Sequence, residues 1–183
     1  MKPGVAASGF RCTDVASGNE LPETTSVKLI LRFLCVLFAL AAFASAQTKP
    51  GWLTDLKAAQ EQAKTNGKLL LLDFTGSDWC GWCIKLDREV FSKPEFKDYA
   101  NKNLILVELD FPRRKELSPA EKKQNSELAE RYGIEGFPTI IVLDTNGKKM
   151  GALSYDAGLP EDSNEMKATP QAFIASLEKL KKG

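Results

Sequence analysis

Cys80 and Cys83 stand two residues apart in the run Trp79-Cys80-Gly81-Trp82-Cys83. Two thiols at that spacing can close into a small disulfide ring and open again, and the thiolate is the attacking species. Such a pair could serve as a redox dithiol, a structural staple or part of a metal clip. A four-residue ring removes little freedom from the unfolded chain, which makes it a weak staple. A structural zinc site needs four Cys or His ligands, and the chain has no histidine. A haem-attachment motif needs a histidine after the second cysteine, where Ile84 stands. No metal and no cofactor are expected. If Cys80 opens a helix, its anion faces unpaired backbone N–H groups and the positive end of the helix dipole. Lowering a thiol from about 8.5 to about 7 requires roughly 2 kcal/mol, near the top of what a helix terminus supplies, so local hydrogen bonds must contribute.

The elements that must hold this pair are legible on both sides of it. Upstream, Lys68 to Phe74 contains four consecutive leucines without alternation, the pattern of a strand buried on both faces. Ahead of it, residues 53–65 read as an amphipathic helix through Trp52, Leu53, Leu56, Ala59 and Ala63, stopped by Asn66-Gly67. Downstream, Ile84, Leu86, Val90 and Phe91 continue a helix whose first turn carries the cysteines, and Ser92-Lys93-Pro94-Glu95 breaks and restarts it. Leu104 to Asp110 is the next strand. Phe111 to Leu117, with its Arg113-Arg114-Lys115 cluster, reads as a solvated loop, and Asp78 and Lys85 read as solvated residues flanking the site. Ser118-Pro119-Ala120-Glu121 combines a capping box with proline at the first helical position, and Gly133 closes that helix. Thr139 to Leu143 and Lys149 to Tyr155 form a hairpin around Asp144-Thr145-Asn146-Gly147, Asp156 to Ala168 is a loop, and Thr169-Pro170 opens a last helix. Strands alternating with helices, closed by a hairpin, predict an α/β architecture with a mixed sheet between helices.

The chain divides into residues 1–46 and a single domain over 47–183. Lys28 and Arg32 precede an apolar run from Phe33 that ends in Ala44-Ser45-Ala46, the small-x-small pattern of a signal peptide, with cleavage predicted before Gln47. The run is short against the roughly 20 residues that span a bilayer, so membrane contact is expected only through this segment if it stays uncleaved. The polar lead from Met1 to Ser26 is long for such a signal, which makes Val27 a candidate start. Lys2, Arg11, Lys28 and Arg32, with Asp14, Glu20 and Glu23, leave with the extension; of 25 basic and 24 acidic residues, 21 of each remain. A neutral domain offers no electrostatic case for nucleic acid. Cys12 and Cys35 leave too, so Cys80 and Cys83 alone remain, in a compartment where disulfides form.

Leu72-Asp73-Phe74, Trp79-Cys80-Gly81-Trp82-Cys83 and Tyr132-Gly133-Ile134-Glu135-Gly136-Phe137-Pro138-Thr139, in that order, resemble the thioredoxin superfamily over about residues 52–182. The resemblance implies a thioredoxin fold, a central mixed β-sheet flanked by helices. It also implies an exported thiol–disulfide oxidoreductase, most similar to those of the bacterial periplasm or cell envelope. No Lys-Asp-Glu-Leu type signal follows Gly183. Carried residue by residue, it makes Cys80 the nucleophile, Cys83 the resolving thiol and Asp73 a buried proton relay. Pro138 becomes a cis-proline that leaves the preceding backbone free for a substrate chain. Trp79, Gly81, Trp82 and Phe137 surround the sulfurs as a substrate-binding rim, with Trp79 also in ordinary packing. The implied partners are protein thiol or disulfide substrates and a redox-partner protein, and the domain is expected to be a monomer. The competing class is a thioredoxin-fold binding or chaperone-like module without redox turnover. Two departures stand out: Thr75-Gly76-Ser77-Asp78 adds one residue before the tryptophan, and Gly81-Trp82 replaces the family's Gly-Pro, leaving the direction of electron flow open.

Overall fold

The computed structural model describes residues 49–161 and 166–182; the predicted signal segment and its cleavage point lie outside the described residues. In chain order the elements are β1 (Trp52–Leu53), α1 (Leu56–Asn66), β2 (Leu69–Thr75), α2 (Gly81–Leu86) running into a π-helical turn (Asp87–Phe91), and α3 (Pro94–Asn103). They continue with β3 (Leu104–Asp110), α4 (Pro119–Tyr132), β4 (Thr139–Leu143), β5 (Lys149–Leu153), a 3₁₀ turn (Tyr155–Gly158) and α5 (Pro170–Lys182). Among the described residues no helix is long and apolar enough to cross a membrane.

The strands form one sheet in the order β1-β3-β2-β4-β5. β3 pairs in parallel with β1 and β2, while β4 runs antiparallel to both β2 and β5. β2 is therefore central, which is why its leucines need no polar face: Leu70, Leu71 and Leu72 are fully buried. Strand side chains alternate between faces. Leu70, Leu72 and Phe74 pack with Leu56, Ala59 and Ala63 of α1 and Leu128 of α4. Leu71 points the other way, into a core with Leu86, Phe91, Phe96 and Phe173. Asp73 shares the parity of Leu71 and so faces the side on which α2 lies.

Local chemistry sets the element ends. Asp55 caps α1 by accepting from the Ala58 N–H at 2.7 Å, and Gly67 closes it in the left-handed region at φ 64°. At α4, Ser118 Oγ accepts from the Glu121 N–H and Glu121 Oε2 accepts from the Ser118 N–H, the expected capping box. Two expectations are corrected. Trp52 and Leu53 do not begin the first helix, because the Asp55 cap starts it at Leu56; they pair instead with Leu106 and Val107 of β3. The second hairpin strand stops at Leu153 rather than Tyr155, and Tyr155 is instead buried in a 3₁₀ turn that gives order to the start of the expected loop.

Candidate functional site

β2 delivers the chain to the site and α2 receives it. After Thr75 the backbone turns sharply, with the Cys80 N–H bonded to the Gly76 carbonyl at 2.8 Å. Gly76 is required here: a Cβ would lie 2.6 Å from Trp79 Cε2. Ser77 is fixed by Asp110, whose carboxylate accepts from the Ser77 N–H at 2.9 Å and from its hydroxyl at 2.6 Å. The turn thus spans the ends of neighbouring strands β2 and β3, with the extra residue before Trp79 held in it.

Cys80 is the N-cap of α2, and Cys83 lies one turn in. The two are joined as a disulfide with their Cα atoms 5.2 Å apart. Cys80 Sγ accepts from the Cys83 N–H at 3.2 Å, so the helix terminus supplies a donor to the Cys80 sulfur. Gly81 is exposed at the first helical position, and a side chain there would meet nothing within 4 Å. Cys80 and Cys83 are both buried in this closed form.

Asp73 reaches the inner cysteine of the pair through a shared cavity. It shares a cavity of about 180 Å³ with Cys83, Lys49, Asp87 and Glu108. The carboxylate is buried, and its Oδ1 has no hydrogen-bond partner among the described residues. Burial pushes its carboxyl up to about 7; Lys49 opposes the rise, while Glu108 and Asp110 add to it. A carboxyl poised there can take or give a proton near neutral pH.

The aromatic residues divide into two groups. Trp79 packs edge-on against Phe137 with ring centroids 5.9 Å apart, donates from Nε1 to the Phe111 carbonyl at 2.7 Å, and carries the Arg113 guanidinium 3.9 Å from its ring. Phe137 is half-buried and precedes a buried Pro138, with the peptide bond between them cis. Trp82 stands apart from these, packed on Tyr155 at 4.9 Å yet 49% exposed, which leaves much of the indole free for contact. Lys85 is not simply solvated: its Nζ donates to the Met166 carbonyl at 2.6 Å and sits 5.1 Å from the rings of both Trp82 and Tyr155. Asp78 is likewise more than a solvated acid. Its carboxylate accepts from the Arg113, Arg114 and Lys115 N–H groups at 2.9, 2.7 and 3.2 Å, tying the basic loop to the edge of the site. Those bonds, led by the one from Arg113, hold its carboxyl below the usual range.

Sequence reasoning missed Lys49, Glu108 and Asp110. Glu108 and Asp110 had one readable signal, since acids at alternate positions at the end of an apolar strand must share a face. The β2–β3 register then places Glu108 beside Asp73. Lys49 had none, because a single lysine ahead of the first element gives no periodicity.

A profile of thioredoxin-like domains matches residues 56–158. The disulfide bond reductase DsbH of Chlamydia pneumoniae is 37% identical over 100 residues, covering 55% of this chain and 60% of the relative. The thioredoxin-related protein DsbJ of the same organism is 26% identical over 144 residues, covering 72% of this chain and 41% of that protein. The chain therefore spans less than two thirds of either relative's length. A solved structure described as DsbH oxidoreductase superposes with a TM-score of 0.62 at 30% identity, covering 75% of this chain and 92% of that one.

Proposed function

Because this chain belongs to the thioredoxin-like family, we propose that it is a thiol–disulfide oxidoreductase acting on protein substrates. The observation that carries this is the Cys80–Cys83 disulfide at the N-terminus of α2, with Cys83 lining the same cavity as the buried Asp73. In the reduced form, the Cys80 thiolate attacks a substrate disulfide and forms a mixed disulfide, releasing one substrate sulfur as a thiolate that takes up a proton. Cys83 then gives its proton to Asp73 and attacks Cys80 Sγ. The second substrate thiolate leaves, and the Cys80–Cys83 disulfide re-forms. Two electrons pass from the cysteine pair to the substrate, and a partner protein dithiol must restore them. The name of the C. pneumoniae relative, a disulfide bond reductase, supports this reducing direction.

Trp82, Phe137 and Trp79 form the rim that receives an extended polypeptide, Gly81 leaves the approach to Cys80 open, and Pro138, next to Phe137 of that rim, guides the substrate backbone. The domain over 47–183 acts after export into a bacterial envelope compartment, a reading supported by the signal pattern ending at Ala46. Insulin reduction by dithiothreitol tests the activity. Wild type accelerates it, Cys80→Ser falls to the uncatalysed rate, and Cys83→Ser accumulates mixed disulfides. A Cys80→Ser variant as active as wild type overturns the assignment.

A further inference from the structure

The cavity beneath Cys83 gathers more charge than one proton-relay carboxylate requires. Asp73 and Glu108 are direct neighbours in the parallel β2–β3 register, so their side chains emerge on the same face. Both line the cavity, and the cation lining it with them is Lys49. This lysine belongs to no strand or helix and lies ahead of the matched thioredoxin-like span.

Lys49 is held rather than loose. Its ammonium pairs with Asp87, which is itself anchored by the Ser92 hydroxyl at 3.0 Å. It also lies 4.3 Å from the ring centroid of Trp52 and 5.1 Å from that of Phe91. The Trp52 N–H bonds back to the Lys49 carbonyl at 2.9 Å, so the pairing of β1 with β3 brings Lys49 to the cavity.

We propose that Lys49 is the counter-cation of an Asp73–Glu108 carboxylate pair, a positioning residue that sets the charge state of the group beside Cys83. Two adjacent carboxylates, one buried and one half-buried, cannot both ionise cheaply, and one neighbouring cation favours ionisation of one of them. The charged and titratable groups facing Asp73 fit this scheme. Lys49 comes from the N-terminal segment, Glu108 and Asp110 from β3, Asp87 from the π-helical turn, and Cys83 from α2 as half of a disulfide. Lys97 of α3 acts on Lys49 with like charge. Asp110 is already engaged by Ser77 and Lys115, and Lys49, held by its pairing with Asp87, is the cation that lines the cavity with Asp73 and Glu108. Burial pulls the Lys49 ammonium down from the usual lysine range and pushes the Glu108 carboxyl up, as expected for a cluster removed from water. The importance of the pair to turnover rests on the proposed oxidoreductase function; its electrostatics do not.

Carboxyl-carbon NMR titration of the oxidised protein reads the pair without any need for activity. Lys49→Met should raise the midpoint of the Asp73 carboxyl by about one pH unit or more, Lys49→Arg should leave it near wild type, and Glu108→Gln should lower it. A Lys49→Met protein that keeps its amide spectrum and leaves the Asp73 midpoint unmoved overturns the inference. Should Lys49→Met fail to fold, an unmoved midpoint in Glu108→Gln overturns it equally. The pH–rate profile for release of substrate from the mixed disulfide is measured on the same variants. A moved midpoint with an unmoved profile supports the counter-cation and instead refutes the Asp73 relay.

Discussion

Asp73→Asn replaces a buried carboxylate with a neutral amide of the same outline. The wild-type carboxyl is raised from an ordinary 3.8 to about 7 by burial, so between those values the folded protein holds a proton that the unfolded chain has lost. Stability therefore falls as pH rises through this window, and the loss is complete above it. At 1.36 kcal/mol per pH unit the span corresponds to at most about 4 kcal/mol. The amide does not titrate, and because Oδ1 has no partner among the described residues the substitution breaks no hydrogen bond there. The variant should lie within about 1 kcal/mol of wild type near pH 4 and be more stable by roughly 2–4 kcal/mol near pH 8. Urea unfolding of the oxidised proteins, followed by tryptophan fluorescence at both pH values, reads the difference. Glu108 titrates in both proteins, so the difference reads the Asp73 carboxyl together with its coupling to Glu108. A gap that fails to widen by about 1 kcal/mol refutes the reasoning. The more stable variant should also exchange disulfides more slowly, because the group that destabilises the fold is the one assigned to the proton.

Gly76→Ala drives a methyl into the Trp79 indole, which Phe111 and Arg113 hold in place, and should cost about 1–3 kcal/mol; an unchanged urea midpoint would show that the indole can move aside. Asp78→Ala should leave the thermal midpoint nearly unchanged while accelerating amide exchange at Arg113, Arg114 and Lys115, and retained protection there would mean the loop is held by other contacts. Tyr155→Phe removes the hydroxyl that donates to Glu89 Oε2 at 2.7 Å, leaving a buried carboxylate short of a partner, and should lower stability by about 1–3 kcal/mol in the same urea assay; a variant as stable as wild type would show that the Ala168 N–H suffices.

Much of this architecture was legible because its signals are local. Four leucines in a row announce a central strand, Ser118 with Glu121 announces a helix start, and the dithiol with Gly136-Phe137-Pro138-Thr139 announces the family. What could not be read depends on partners distant in sequence. β1 has only two residues, too few for a period, and its identity comes from Leu106 and Val107. The π-helical turn after α2 begins without a breaker residue to mark it. Asp78 looked like an isolated exposed acid because the three amides it binds are on another loop. The buried charge cluster was half visible: Asp73 stood out among apolar neighbours, whereas its cation lies before the first strand.

The shortness of β1 also bears on the order in which the molecule assembles. Its pairing with β3 closes a loop that includes α1, β2, the π-helical turn and α3, so chain entropy opposes it and few contacts reward it. This strand therefore docks late and opens early, at a free energy below that of the central sheet. Each such opening draws Lys49 away from the cavity that it lines with Asp73 and Glu108, so the stability of a two-residue strand bears on the charge around the buried carboxylate.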